Sequence, residues 1–312
     1  MKIFNFKRIN YRLLVKIILI LLLIIVLDSV FFISDRTFEY LYRSCDIIEI
    51  PKEYNSKSDE LYMYTFDVGQ SESILLLYQD TSILIDSGTT DYAYPLVKTL
   101  KSMGISSLDY CIFTHPHYDH MGSGSAIIRD LNPSHVYLTK YNYNKVNRWW
   151  YDIFKKTVFL KGQELEYLEE GSNLTIGKLN IDVICPISNF YENLNDYSIG
   201  MKITLGETDI LLLADIEAAS EHDLIESDYD LNAEIIKVPH HGSTTSSTFE
   251  FLCNVKPDYA IISVGKDNPY NHPRTYTLSK LNALDVTIYR TDQNGTILVT
   301  TDGNEIKIIT SN

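Results

Sequence analysis

The sequence is short of cysteine, tryptophan and positive charge, and the first and last of these shortages each exclude a class of protein. Its 312 residues include 4 Cys and 2 Trp, and 27 Lys and Arg stand against 41 Asp and Glu, giving a formal net charge of −14 at pH 7. The cysteines form no C-x-x-C pair, which excludes a zinc-finger pattern. An acidic chain is also a poor general binder of polyanions. With 45% hydrophobic residues, 14 Gly and 9 Pro, the composition is typical of a folded protein and excludes collagen-like and disordered classes.

Positive charge is scarce, but it is concentrated in two segments. The first 16 residues contain five cations and no acid. The segment Ser134–Gly162 carries six cations, one acid and both tryptophans, a mixture that suits a phosphate backbone with stacked bases. The same segment equally fits a membrane surface, or an amphipathic helix with its aromatic side chains packed inward. A phosphate-containing polymer, either DNA or a cell-wall polymer, therefore remains the expected substrate despite the net charge.

The N-terminal residues predict a membrane anchor. Residues 13–33 are almost entirely apolar and, as a helix, would span roughly 30 Å, the thickness of the hydrocarbon layer. The basic tail, residues 1–12, precedes this run and is expected to stay in the cytoplasm, which places the rest of the chain outside the cell. A cleaved signal peptide, followed by secretion, is the alternative, although no A-x-A cleavage pattern follows the run. Residues 34–60 resemble a linker, and no obligate protein partner is evident.

Residues 61–312 predict one α+β domain. Two strand-rich blocks alternate with helical segments, and turn residues separate them. Two packed sheets flanked by helices would bury the apolar faces of all these elements.

One histidine-rich turn points to metal chemistry. The run His115-Pro116-His117-Tyr118-Asp119-His120 follows an apolar strand and precedes Gly122 at the start of a helix. Imidazoles with a carboxylate suit Zn²⁺, Mn²⁺ or Fe better than Mg²⁺ or Ca²⁺. Four ligands from one turn cannot easily share one tetrahedral ion, so the pattern predicts two divalent ions, with Zn²⁺ favoured and Mn²⁺ the alternative.

Two later strand ends complete the predicted site. Asp215 ends an apolar strand, where its carboxylate could bridge two metals or, alternatively, cap a helix. His240 and His241 end another strand. We favour His240 as the ligand because it is nearer the strand end, and expect His241 to orient it or to be structural.

The chain resembles the metallo-β-lactamase superfamily, and within it the catalytic domain of ComEC-type competence proteins that internalise DNA. The resemblance extends over roughly residues 61–309, and cell-wall phosphorylcholine esterases share part of it. It implies a four-layer αββα sandwich with the metal site at one edge. It assigns His115 and His117 to one metal, Asp119, His120 and His240 to the other, and a bridging role to Asp215; Asp119 would also act on the attacking water. The shared segments are 66–70 with Ser73, 84–88, 115–120, 212–215, 237–243, 268–273 and 289–292.

The sequence departs from the wider superfamily at one ligand. A further histidine is expected about a strand before the bridging aspartate, yet residues 186–200 contain none. The first metal should then be weakly held, or completed by water or by Asp196. The many membrane spans of ComEC proteins are also missing, since this sequence has one apolar segment.

Several further residues are predicted around the metals. His272 is the predicted second catalytic residue, either protonating a leaving group or holding a phosphate oxygen, and a backbone-bonded loop histidine is its alternative. The remaining supporting or substrate-contacting candidates are Asp67, Asp86, His241, Ser243, Asn268 and Tyr270.

Together these features predict a membrane-anchored extracellular hydrolase with two metals, cleaving a phosphodiester by attack of a metal-bound hydroxide. A cell-wall phosphoryl ester hydrolase, of phosphorylcholine type, or an acyl ester hydrolase is one alternative. A non-catalytic binding module on the same fold is another.

Overall fold

The structure is a computed structural model that describes residues 45–51, 59–140 and 149–312. Residues Ile47–Asn312 cluster as one compact unit. The predicted cytoplasmic tail and membrane anchor lie outside the described residues, as does most of the linker. Among the residues that are described, no helix is both long enough and apolar enough to cross a bilayer.

In the described residues, eight strands form the first sheet. The four strands at one end of this sheet run parallel to one another, whereas the strands at the other end are antiparallel. In spatial order the strands are β15 (Ile306–Thr310), β14 (Ile297–Thr301), β1 (Leu61–Thr65), β2 (Ile74–Tyr78), β3 (Thr81–Ile85), β4 (Tyr110–Phe113), β5 (His135–Thr139) and β6 (Leu165–Leu168).

The second sheet has seven strands in the same described part and mirrors this plan, with one parallel and one antiparallel half. In spatial order its strands are β13 (Thr287–Arg290), β12 (Tyr259–Ile262), β11 (Ile235–Lys237), β10 (Thr208–Leu212), β9 (Gly200–Leu205), β8 (Leu179–Cys185) and β7 (Asn173–Ile176).

Helices cover the outer faces of the sheets. The first block contributes α1 (Ala93–Ser102), α2 (Tyr118–Met121), α3 (Gly124–Leu131) and α4 (Trp149–Leu160). The second contributes α5 (Ala218–Ile225), α6 (Phe249–Val255), α7 (Thr275–Ala283) and α8 (Thr291–Asn294).

The core explains why the strands are apolar on both faces. Side chains such as Met63, Leu76, Ile203 and Leu212 interlock between the sheets, and a second cluster lies between the second sheet and its helices. A strand covered on both sides reads as a continuous hydrophobic run, as Ile74–Tyr78 does. The α+β sandwich expected from the sequence is confirmed.

This topology brings five polar segments to one edge. Asp86 follows β3, His115 follows β4, Asp215 follows β10, His240 and His241 follow β11, and residues 268–272 follow β12. The carboxyl ends of parallel strands meet at the same edge of a sheet, which is where α/β proteins commonly place ligands.

Candidate metal centre

The His115–His120 turn presents its ligand atoms toward one point. His115 is buried, and its Nε2 lies 2.9 Å from Nδ1 of His117. The rings of His115 and His120 lie 4.2 Å apart. Gly122 permits this turn, because a Cβ there would lie 2.5 Å from the Tyr118 carbonyl oxygen and 2.9 Å from the Thr90 nitrogen. The glycine after the histidines is therefore a packing requirement.

Asp215 stands at the centre of the site. Its Oδ1 lies 3.2 Å from His120 Nε2 and 3.8 Å from His241 Nε2. Its Oδ2 lies 3.9 Å from Nε2 of His115 and 3.9 Å from Nε2 of His240. One oxygen thus faces each side of the centre, as a carboxylate that bridges two metals requires.

The ligand atoms fall into two groups that share Asp215. In each group, every ligand atom lies within 4.8 Å of the others. The inner group contains Asp119, His120, Asp215 and His241, and the outer group contains His115, His117 and Asp215.

The inner group contains His241 where the sequence analysis preferred His240. His241 Nε2 lies 3.4 Å from Asp119 Oδ2, and its Nδ1 donates to the Ser263 carbonyl at 2.8 Å. The reason is the backbone, since both histidines adopt the left-handed conformation, with φ of 51° and 54°. Distance from the strand end therefore does not decide which imidazole joins the inner group.

A buried carboxylate supports the inner group. Asp86 accepts a hydrogen bond of 2.6 Å from His120 Nδ1 and is itself bonded by the backbone N–H of Thr114 at 2.8 Å and its hydroxyl at 2.7 Å. A carboxylate on the far nitrogen fixes the imidazole ring and raises its basicity as a ligand. The predicted supporting role of Asp86 matches this arrangement.

Sequence reasoning missed a buried ion pair behind the inner group. Lys237 on β11 donates to Glu72, and both side chains are almost fully buried. The backbone N–H of Glu72 donates to the Asp119 carbonyl at 3.0 Å, so this pair braces the metal-binding turn. The residue pattern does not predict this ion pair, because Lys237 and Glu72 lie in different blocks of the chain.

Three buried atoms test whether the site fits metal ions. His120 Nε2, His241 Nε2 and Asp215 Oδ1 are buried without a hydrogen-bond partner. Buried polar atoms are almost always satisfied, so three that face one another require a shared partner. Imidazole and carboxylate are the donors that Zn²⁺ and Mn²⁺ prefer. The residues therefore fit a divalent metal pair.

The charge states of Asp215 and His115 agree with metal binding. Burial favours a raised pKa for Asp215, but the neighbouring His120 and His241 hold that pKa well below its usual range. Burial lowers the pKa of His115 well below its usual value, so this imidazole is neutral and has a free lone pair at pH 7. An ionised carboxylate beside a neutral imidazole is the form in which both bind a metal.

A cavity of about 400 Å³ opens onto this centre. Among the described residues, no lysine or arginine lines it. The lining residues are Gln70, Thr89, His117, Tyr118, Asp119, Asn195, Asp215, His240, His241, Pro269, Tyr270 and His272.

The loop after β12 reaches the cavity as expected, through His272 and Tyr270. Asn268 organises this loop, since its Nδ2 donates to the His272 carbonyl at 2.6 Å and its Oδ1 accepts from the His272 amide at 3.0 Å. Burial lowers the pKa of His272 to about 4, so its ring is neutral at pH 7. A neutral ring suits holding a phosphate oxygen through an N–H better than acting as an acid.

Three other predicted residues have local partners. The carboxylate of Asp67 accepts from the Gly69 amide at 3.3 Å, within its own turn. The Ser243 hydroxyl bonds the Thr245 hydroxyl at 3.0 Å. Asp196, a candidate to complete the first metal, accepts from the backbone amides of Glu217 and Ser220 at the start of α5.

The aromatic side chains of the segment Ser134–Gly162 divide between the core and the rim of the cavity. Phe154 is buried in edge-to-face contact with Phe113, 4.9 Å between ring centroids, as the inward-packing interpretation requires. Trp150 lies 5.1 Å from the ring of Tyr118, a cavity residue, and Trp149 is 58% exposed. Residues 141–148, which include Lys145 and Arg148, lie outside the described residues.

The metal centre and sandwich define a class, and comparison with known proteins agrees. The sequence profile of the Metallo-beta-lactamase superfamily matches residues 66–266, more than half of the chain, so the chain belongs to that superfamily. It is a metallo-hydrolase of this superfamily.

Within the superfamily, the chain is similar to competence proteins. It is 28% identical over 271 residues to ComE operon protein 3 of Bacillus subtilis, covering 81% of this chain and 34% of that protein. It is 26% identical over 247 residues to competence protein ComA of Neisseria gonorrhoeae, covering 77% of this chain and 32% of that protein. The ComEC-type resemblance is thus confirmed, although the chain spans about a third of the length of these relatives.

Solved structures show the same fold at low identity. CmlA, a diiron beta-hydroxylase from Streptomyces venezuelae, matches with a TM-score of 0.52 and 14% identity, over 75% of this chain and 53% of its own. The metallo-beta-lactamase fold protein YhfI from Bacillus subtilis matches with a TM-score of 0.50 and 12% identity, over 80% and 99%. At these identities the likeness concerns the fold alone.

Proposed function

We propose that this protein is a phosphodiesterase of nuclease type, acting on a phosphate-containing polymer outside the cell and held to the membrane by residues 13–33. The observation that carries the reaction is the pair of ligand groups on the two oxygens of Asp215. Two adjacent divalent ions supply water activation and neutralise charge on a phosphoryl oxygen.

The cavity supports a phosphoryl substrate through its own side chains. Its lining has no lysine or arginine among the described residues, so the charge of one phosphodiester would be met at the metal centre and by imidazoles. Burial opposes ionisation of Asp119, but the neighbouring His241 and His120 hold the pKa of Asp119 well below its usual range. Ionised at pH 7, Asp119 can orient an attacking water.

The other residues have separate tasks in this proposal. His272 holds a non-bridging phosphate oxygen through its ring N–H, from the loop that Asn268 organises. Tyr270 is 57% exposed at the mouth and stacks near His272, with 5.6 Å between ring centroids. Tyr118 lies on the cavity wall. Aromatic faces at the mouth suit nucleobases on either side of the phosphate.

The reaction is tested with the full-length protein in detergent, loaded with Zn²⁺ or with Mn²⁺. We expect turnover of bis-p-nitrophenyl phosphate and of single-stranded DNA, and loss of both in Asp119→Ala. His222→Asn is the matched control, because His222 is exposed on α5. Bound metal without turnover of any phosphodiester contradicts the proposal. Selective cleavage of a phosphorylcholine ester supports the cell-wall alternative instead.

The topology is tested separately with cysteine chemistry. Cys253 is exposed, whereas Cys111 and Cys185 are buried, so a membrane-impermeant maleimide should label intact cells at Cys253. The experiment uses a Cys45→Ser variant, because Cys45 is partly exposed. The control is the same variant with Cys253→Ser added. Labelling only after cell lysis contradicts the extracellular placement.

A further inference from the structure

Four histidines of the centre share one arrangement. In each, Nδ1 is held by an oxygen of a neighbouring residue while Nε2 is directed at the Asp215 carboxylate. The oxygen partners of Nδ1 are Asp86 for His120 at 2.6 Å, Ser263 for His241 at 2.8 Å, Thr114 for His115 at 3.2 Å and Glu217 for His240 at 3.2 Å. Metal-binding histidines characteristically have this arrangement, with the far nitrogen bonded to an oxygen.

Asp215 divides these histidines evenly between its two oxygens. Oδ1 faces His120 and His241, at 3.2 and 3.8 Å, and Oδ2 faces His115 and His240, both at 3.9 Å. The inner group already has four residues, whereas the outer group has three. His240 meets the outer group at Asp215 Oδ2, although it is not within 4.8 Å of every ligand atom of that group. We propose that His240 is the fourth ligand of the outer metal, on the side where the cavity opens.

The side chain of Glu217, which supports His240, is itself held by neighbouring side chains. Glu217 Oε1 bonds His240 Nδ1, and Thr245 Oγ1 lies 3.2 Å from the same nitrogen. Glu217 is held in turn by Asn195 at 3.0 Å and Asn193 at 2.8 Å. A carboxylate fixed by two amides, on an imidazole whose other nitrogen faces Asp215, resembles the Asp86–His120 pair of the inner group.

The backbone explains how neighbouring residues reach different metals. His240 and His241 are both left-handed, with φ of 51° and 54°, a conformation that is uncommon for residues other than glycine. Two such residues in succession separate the imidazoles, whose ring centroids are 6.3 Å apart with an angle of 64° between planes. Outliers of this kind cluster at functional sites.

Bound metal, not turnover, tests this inference. It rests on the metal pair of the proposed function, yet it can fail while phosphodiesterase activity remains. Zn²⁺ is titrated into the metal-free full-length protein in detergent by competition with a chromophoric chelator. We expect two ions in the wild type, and one ion bound with unchanged affinity plus one strongly weakened in His240→Asn. Asparagine is chosen because it tolerates the left-handed backbone.

A second variant keeps the backbone and the imidazole. Glu217→Gln should weaken the outer ion by roughly 10- to 100-fold, as loss of a carboxylate behind a ligand histidine does. Its Co²⁺ absorption spectrum should change at one ion only. His222→Asn on α5 and His272→Asn, whose ring lies 5.7 Å from that of His240, are the controls and should leave both Zn²⁺ affinities unchanged.

The outcomes separate the two roles of His240. If His240→Asn and Glu217→Gln bind Zn²⁺ with wild-type stoichiometry and affinity, His240 is not a ligand and the inference is overturned. Weakening of the inner ion instead of the outer one overturns it as well. A circular dichroism spectrum like the wild type confirms that a lost ion does not reflect unfolding.

Discussion

The inner and outer groups of the metal centre are built from similar side chains but differ in how they are held. His120 and His241 of the inner group are fully buried, and their far nitrogens bond Asp86 and a backbone carbonyl. On the outer side, His117 and His240 face the cavity and are partly exposed. The comparison teaches that the imidazoles of the inner group are the more deeply buried. Both groups nevertheless reach the cavity, the inner one through Asp119 and His241.

The largest effect is expected at the residue that both groups share. Asp215→Asn should lower kcat/KM for a phosphodiester by about 1000-fold or more, near 4 kcal/mol, because both metals lose the bridging carboxylate. Turnover and bound metal are measured together. Asp152→Asn, at a 64% exposed carboxylate on α4, is the control. If Asp215→Asn still binds two ions tightly and loses less than tenfold in kcat/KM, the two groups do not depend on Asp215 as a shared ligand.

The next effect concerns the bracing of the inner group. Lys237→Met should lower the free energy of unfolding by about 3–5 kcal/mol, because it leaves the Glu72 carboxylate buried without its cation. Adding Glu72→Leu should recover much of this loss. Chemical denaturation measures both variants beside Lys178→Met, which removes a 76% exposed lysine. Equal stability of the two single lysine variants would show that the buried pair braces nothing.

A smaller effect distinguishes the two groups directly. Asp86→Asn should weaken the inner ion by roughly 10- to 100-fold and the outer ion less, because Asp86 bonds the His120 ring directly and reaches His115 only through the Thr114 hydroxyl. Zn²⁺ competition titration gives both affinities. If both ions weaken equally, the inner and outer groups are one cooperative site.

The smallest effect is a pH dependence on the open side. Burial holds the pKa of His272 near 4, below that of the unfolded chain, so the unfolded state binds a proton first as the pH falls from about 6.5 toward 4. Stability should therefore fall over that window and be unaffected above it, by about 1 kcal/mol once solvent screening of the half-buried ring is allowed for. Urea unfolding of the metal-free protein at pH 7 and pH 5 should show a smaller difference in His272→Gln. An equal pH difference in both chains would contradict this.

What the sequence predicted well is local. The H-x-H-x-D-H turn and Asp215 can be recognised as candidate ligands because they follow apolar strands and because few residue types bind metals. Alternating apolar runs and turn residues likewise predicted the two sheets and their flanking helices. In each case the information lies within a few neighbouring residues.

What it missed depends on tertiary geometry. Which of His240 and His241 joins the inner group depends on two left-handed residues that the residue types do not predict, and His240 stays a predicted ligand. The contact between Glu217 and His240 depends on the start of α5 lying beside His240, which residue types do not predict. Conversely, Asp67 and Ser243 lie close to predicted ligands in the sequence, yet their side chains form hydrogen bonds within their own loops.

Strand β1 has a consequence for the order in which the chain is assembled. It lies inside the first sheet, paired on one side with β2 and on the other with β14, which follows β1 by more than 200 residues in the chain. During synthesis, the apolar edge of β1 stays unpaired until that long intervening segment has been made. Closing so long a loop is slow, and an open strand edge invites pairing with other chains. The interval before β14 arrives is thus when the nascent protein most needs protection from aggregation.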